Sequence, residues 1–344
     1  MSEKQGTLVS AGASSVFEGW IPGIGKGPMM GICAIYRVFL EEVMPAGADR
    51  WAKYLTRYYQ PNEDFLANYA ETWSGVGLEE IQRRFDEFYP AATMEQLEQN
   101  FPPEGGGALY QELWERCQEK LRVSEGPDVY FMVGVYTSNA FTTLIAGRPM
   151  IGICLEHFNP GPCAHPWGLN IDPEKLPIWF SHEFAHCAAV EKHSGSLIRG
   201  VLNKADWDWQ LLDGRVPLRE WLWLEGVAVA FSHYLTGAPL VDCLGFSEEQ
   251  FVKCQASEDS LFKKFTQEMD FSDFGRYERW FGGDVTKTDV LVRPGYYLGY
   301  RVVEETVGDF DSANWDELCR LSPSDVQAHL EKMAHFRFRG SRAK

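Results

Sequence analysis

The stretch from Leu176 to His193, LPIWFSHEFAHCAAVEKH, constrains this chain more than any other. It sets His182, Glu183 and His186 in the order H-E-x-x-H between apolar residues that predict a buried helix. At about 100° per residue the two histidines stand one turn apart on one face, so both imidazoles can reach a single cation. Glu183 projects beside them. A catalytic zinc takes three protein ligands and keeps an open position for water, and a neighbouring carboxylate can accept that water's proton. Phe180, Phe184, Cys187 and Ala188 fall on the side away from the histidines. Two imidazoles and a carboxylate on so apolar a helix are expensive to bury unless they pair with something, and one metal ion answers that need.

The third ligand is expected downstream, at Glu225 in WLWLEGVAVAFSHYL. That segment is apolar almost all round, and Glu225 is its one carboxylate between Trp221 and Leu235. Gly226, Ala228 and Ala230 are small enough to let this helix approach the first closely. The alternative is a buried glutamate held by an arginine or lysine. The expected complement is one Zn²⁺ per chain, held by His182, His186 and Glu225.

Composition narrows the setting. A chain of 344 residues, 45% apolar and 14% aromatic, can bury a substantial core as one large domain or two modest ones. Its 49 acidic against 32 basic residues give −17, which argues against nucleic acid or an anionic membrane as partner. No basic start with an apolar core marks a secretory signal, and no apolar run reaches 18 residues. Eight cysteines lie scattered without a C-x-x-C pair and read as reduced thiols, so the expected location is cytoplasmic.

Along the chain, residues 1–15 read as a polar, disordered tail. Gly19 to Gly31 is glycine-rich, but Gly27 follows Lys26 where a P-loop needs Ser or Thr. A helical lobe over 16–124 includes ICAIYRVFLEEVM from Ile32, and Leu109, Leu113, Cys117 and Leu121 recur every fourth residue. After Pro127 the pattern turns extended in VYFMVGV, FTTLI and MIGICLEHF, with a turn at residues 146–149. Asp172-Pro173-Glu174 supplies an acidic helix start. Cys163 and His165, just upstream, could reach and mask the metal. Residues 193–219 read as an insertion, and His193 and His233 are weak site candidates. The basic end over 337–344 reads as a frayed tail. The fold class is α+β, with the catalytic part over 125–336.

HEFAH followed by EGVA resembles the gluzincin class of zinc metallopeptidases, and more closely the bacterial family of zinc-dependent proteases known mainly from sequence. The likeness spans roughly residues 125–335. One departure is the 38 residues between His186 and Glu225, about twice the interval in the best-known gluzincins. The resemblance implies a zincin-like, thermolysin-like core with a small edge-strand sheet and active-site helices beside the N-terminal lobe. It implies peptide hydrolysis with Glu183 as general base, and a strand at Gly152, Ile153 and Cys154 that pairs with the substrate backbone. The alternative for that strand is an interior position, paired on both sides. The oxyanion of peptide hydrolysis needs a donor, and GYYLGYR offers Tyr300 and Tyr296, with Tyr297 and Arg301 behind them. The partner would be a peptide or protein substrate. Two other readings stay open: a zinc hydrolase of a non-peptide amide or small molecule, and a non-catalytic, zinc-stabilised peptide-binding protein.

Overall fold

The computed structural model describes residues 31–102, 107–192, 215–283, 291–321 and 324–331. The expected tails, residues 193–214 with His193, and all but the last residue of the Gly19–Gly31 segment lie outside them. The fold is α+β, mostly helical, around a four-stranded sheet. The strands are β1 (Ile32–Cys33), β2 (Asp128–Met132), β3 (Ala140–Ile145) and β4 (Arg148–Cys154), in the order β1-β2-β4-β3. β1 pairs parallel with β2 and β2 parallel with β4, while β3 and β4 form an antiparallel hairpin turned at Ala146 and Gly147. The helix expected from Ile32 therefore begins only at Ile35, because Ile32 and Cys33 are drawn into the sheet.

The longer helices include α1 (Ala91–Asn100), α2 (Gly107–Leu121), α3 (Leu176–Lys192), α4 (Leu218–Thr236), α5 (Glu248–Glu268), α6 (Phe274–Phe281) and α7 (Pro294–Val307). Among the described residues none is long and apolar enough to cross a membrane. Period-two alternation gives the sheet two working faces. On one, Tyr130 stacks 4.0 Å from Phe65, while Phe141 meets Phe65, Tyr69 and Trp73. On the other, Phe131 meets Tyr110 of α2 and Phe180 of α3. The N-terminal segments and α3 thus sandwich the sheet, and one apolar core runs from Ile35 to Leu330. The expected border near residue 124 does not divide two cores, since β1 from the N-terminal part is a strand of the common sheet.

The predicted strand VYFMVGV stops at Met132, because side chains take over the next four backbone donors. Val133 N–H donates to the Tyr58 hydroxyl, Gly134 and Tyr136 N–H to the Glu156 carboxylate, and Val135 N–H to the Tyr69 hydroxyl. A buried loop must satisfy its amides somehow, and here two tyrosines and a glutamate do it. Burial raises Glu156 from 4.5 to about 7, against the opposing pull of the Gly134 and Tyr136 amides. Burial lowers its neighbour His157 from 6.5 to about 4.

These two shifts have opposite consequences. Folding favours the protonated acid at Glu156, so its contribution to stability is lost as pH rises from 4.5 toward 7. Folding favours the neutral ring at His157, so its contribution is lost as pH falls from 6.5 toward 4. In the parent the two slopes largely cancel where they overlap. His157→Gln should expose a falling stability across that interval and Glu156→Gln a rising one, each near 1.4 kcal/mol per pH unit at most (~1.4 by linkage). Urea unfolding at several pH values checks both. Equal slopes in the two variants would contradict the assignment.

Candidate metal and catalytic site

Asp172 accepts a hydrogen bond from the Glu174 amide at 3.0 Å and opens the turn that leads into α3. The helix is then buried nearly all round, with Phe180, Phe184, Cys187 and Ala188 sealed from solvent. His182 and His186 face the same way, their Nε2 atoms 3.0 Å apart. From α4, Glu225 brings Oε2 to 3.3 Å from His182 Nε2 and 3.4 Å from His186 Nε2. All three side chains are at least nine-tenths buried. The expected ligand set is therefore brought together.

Donor spacing tests whether an ion fits. Atoms about 2.0–2.2 Å from a tetrahedral zinc stand about 3.3–3.6 Å from one another. The observed separations of 3.0, 3.3 and 3.4 Å lie close to that triangle. Among the described residues Glu225 Oε2 has no hydrogen-bond donor, nor does either Nδ1 have a partner. A carboxylate oxygen buried against two imidazole nitrogens, with no donor of its own, is the chemistry of a cation site. Ring packing orients the histidines: His182 lies 6.2 Å from Tyr296 and 6.3 Å from Trp179, and 4.6 Å from the perpendicular ring of His186. Burial opposes charge on His186 and Glu225, but their mutual attraction outweighs it. It raises His186 and holds Glu225 far below the usual carboxylate range.

Glu183 sits on α3 beside this cluster and turns toward the sheet. The Thr142 hydroxyl lies 2.8 Å from its Oε2 and 3.0 Å from its backbone carbonyl, so it can donate to either. Thr142 was missed in the sequence, where one threonine in a β-rich run carries no signal. It stands in the middle of β3, which ends the sheet.

Three expectations need correction. Gly152, Ile153 and Cys154 do not form an edge: they lie in β4, paired with Tyr130, Phe131 and Met132 on one side, while Phe141 and Ala140 face Gly152 and Ile153 across the hairpin. Their backbone is committed to the sheet, and the Phe141 ring lies over Gly152, where a Cβ would meet it at 2.3 Å. Tyr300 turns away from the histidines. Its hydroxyl donates to Glu304 at 3.1 Å and its ring packs on His233 and Phe310, leaving Tyr296 as the tyrosine at the cluster. Tyr297 and Arg301 both engage Glu258. Gly226, finally, serves a different neighbour from the one expected: α4 meets α7 backbone to backbone at Gly226 and Gly299. Cys163 and His165 are not part of the cluster, and His165 Nε2 lies 2.9 Å from the Glu87 carbonyl. His233 Nδ1 is bound to the Ala238 carbonyl at 2.7 Å.

The Gly226–Gly299 crossing sets the height of Tyr296 over His182. A Cβ on Gly226 would lie 2.4 Å from the Gly299 carbonyl group, and one on Gly299 would lie 2.4 Å from the Leu222 oxygen. Neither backbone can yield as a side chain would. Gly226→Ala and Gly299→Ala should each lower unfolding free energy by about 1–3 kcal/mol, the usual range for overpacking. Unchanged urea midpoints in both would contradict the contact. Compared with protein-family models, curated proteins and solved structures, the chain finds no match.

Proposed function

We propose that the protein is a zinc-dependent hydrolase with a zincin-like core, acting on peptide bonds. The observation that carries this is the convergence of His182, His186 and Glu225 with a carboxylate, Glu183, one residue from the first ligand and outside the ligand triangle. A structural metal site has no use for such a base. His182 and His186 through Nε2 and Glu225 through Oε2 would hold the ion, which supplies Lewis acidity toward water and a carbonyl group.

The remaining work falls to the chain. Glu183 accepts a proton from the attacking water at its carboxylate and passes it to the departing amine nitrogen. Thr142 fixes the rotamer of Glu183 through the 2.8 Å hydrogen bond, so the carboxylate needs no rearrangement before it accepts. Tyr296, its ring stacked near His182, offers a phenol O–H to the charge that develops on the carbonyl oxygen. Burial holds that phenol well above its usual range, which keeps it a donor at neutral pH. The peptide assignment is supported by β3, the last strand of the described sheet, whose Thr142 reaches the Glu183 carboxylate.

Glu183→Gln should keep the metal and lower kcat by roughly 10²–10⁴-fold, the range for loss of a general base. Turnover of a peptide library at the parent rate by this variant would remove Glu183 from the mechanism. Thr142→Val should lower kcat about tenfold with KM unchanged, as expected for lost positioning, and Thr142→Ser should restore it. A change confined to KM would instead mean that Thr142 contacts substrate.

A further inference from the structure

Arg293 is the residue at this site that the reading above leaves unused. It precedes Pro294 at the start of α7, where the residue before a proline is ordinarily extended. It instead adopts a left-handed conformation, φ 52° and ψ 40°. That geometry costs a non-glycine residue of order 1–2 kcal/mol, and such strain collects at functional sites. Its guanidinium carbon lies 4.0 Å above the Tyr296 ring, and that ring lies 6.2 Å from His182. Arginine, phenol and metal-ligand ring thus form one stack. Burial works against the charge on Arg293, but the nearby Tyr296 and Glu225 outweigh it and keep the group cationic.

Among the described residues no carboxylate lies within ion-pair distance of Arg293, whereas Arg301, two turns along the same helix, is surrounded by Glu258, Glu304 and Glu305. Arg293 as a residue is half-buried, with its guanidinium packed against the Tyr296 ring. A chain carrying −17 repels an anion on average, so an anionic substrate needs a local cation to hold it. A guanidinium supplies this best, because its planar fork matches a carboxylate with two parallel hydrogen bonds.

We propose that Arg293 docks a carboxylate of the substrate, placing it beside the His182–His186–Glu225 cluster. This rests on the hydrolase reading and narrows it. At about 3.3–3.6 Å per extended residue, the stack places the carboxylate within about three residues of the bond cut. The carboxylate is either a peptide's free C-terminus or an acidic side chain near the scissile bond.

The test is equilibrium binding to the zinc-treated full chain carrying Glu183→Gln, compared with the same chain also carrying Arg293→Asn. Asparagine tolerates the left-handed backbone and removes the charge. The probes are 3-phenylpropanoate and its amide, then the peptide Ala-Ala-Phe-Ala as free acid, as C-terminal amide, and as an amide with Glu in place of the last Ala. The acid probes should bind the first protein at least tenfold more tightly than the neutral amides. Arg293→Asn should abolish that preference, leave amide binding unchanged and keep the metal content. Preference for the free acid alone assigns the C-terminus, and preference for the glutamyl amide alone assigns the side chain. Equal weakening of acids and amides, or a preference that survives Arg293→Asn, would overturn the proposal. Metal content, measured on the same samples, reports separately on the hydrolase reading.

Discussion

The attraction between one buried carboxylate and two buried imidazoles is the interaction on which the rest of this structure depends. Glu225 lies in a helix with almost no other polar group near it, and His182 and His186 occupy a helix sealed on nearly every side. Each would be costly in that setting by itself. Together they form a polar cluster in which Glu225 and His186 favour each other's charged form against the cost of burial. Removing Glu225 would leave both imidazoles buried without a carboxylate, the situation in which broken buried pairs cost about 3–5 kcal/mol. The two helices are therefore bound to each other by the same atoms that would hold a cation.

Everything around the cluster keeps that arrangement in register. The sheet supports α3 through Phe131 and Phe180 and reaches Glu183 through Thr142. On the opposite side α4 leans on α7 through two glycines whose backbones touch, which brings Tyr296 over His182. The N-terminal segments contribute by closing the far face of the sheet and by satisfying the amides that follow β2 through Tyr58 and Tyr69. They are part of the scaffold rather than an appended lobe.

The three clustered donors were legible because their signal is local. A helix period places His182 and His186 on one face whatever the tertiary fold, and a lone carboxylate in a run such as WLWLEGVAVAF stands out. Strand order was not legible. Whether Gly152 to Cys154 lie at an edge depends on β2 pairing parallel with β4 across the long hairpin connection, a contact with no trace in either strand's composition. Tyr296 and Tyr300 stayed equivalent in the sequence for a similar reason. Both lie on one side of α7, and only the glycine crossing with α4 fixes which of them looks at the histidines. Thr142 and Arg293 carry information only in three dimensions, one as a hydroxyl at Glu183 and the other as a left-handed backbone before a proline.

The central claim is that His182, His186 and Glu225 form a metal site. Elemental analysis of the purified full chain, after incubation with zinc and removal of excess, tests it most directly when His186→Ala and Glu225→Ala are treated in parallel. One zinc per parent chain, lost in both variants while each keeps its folded circular-dichroism spectrum, is the predicted result. A parent that takes up no metal, or variants that both retain it in full, would show that the three donors are only a buried ion-pair cluster.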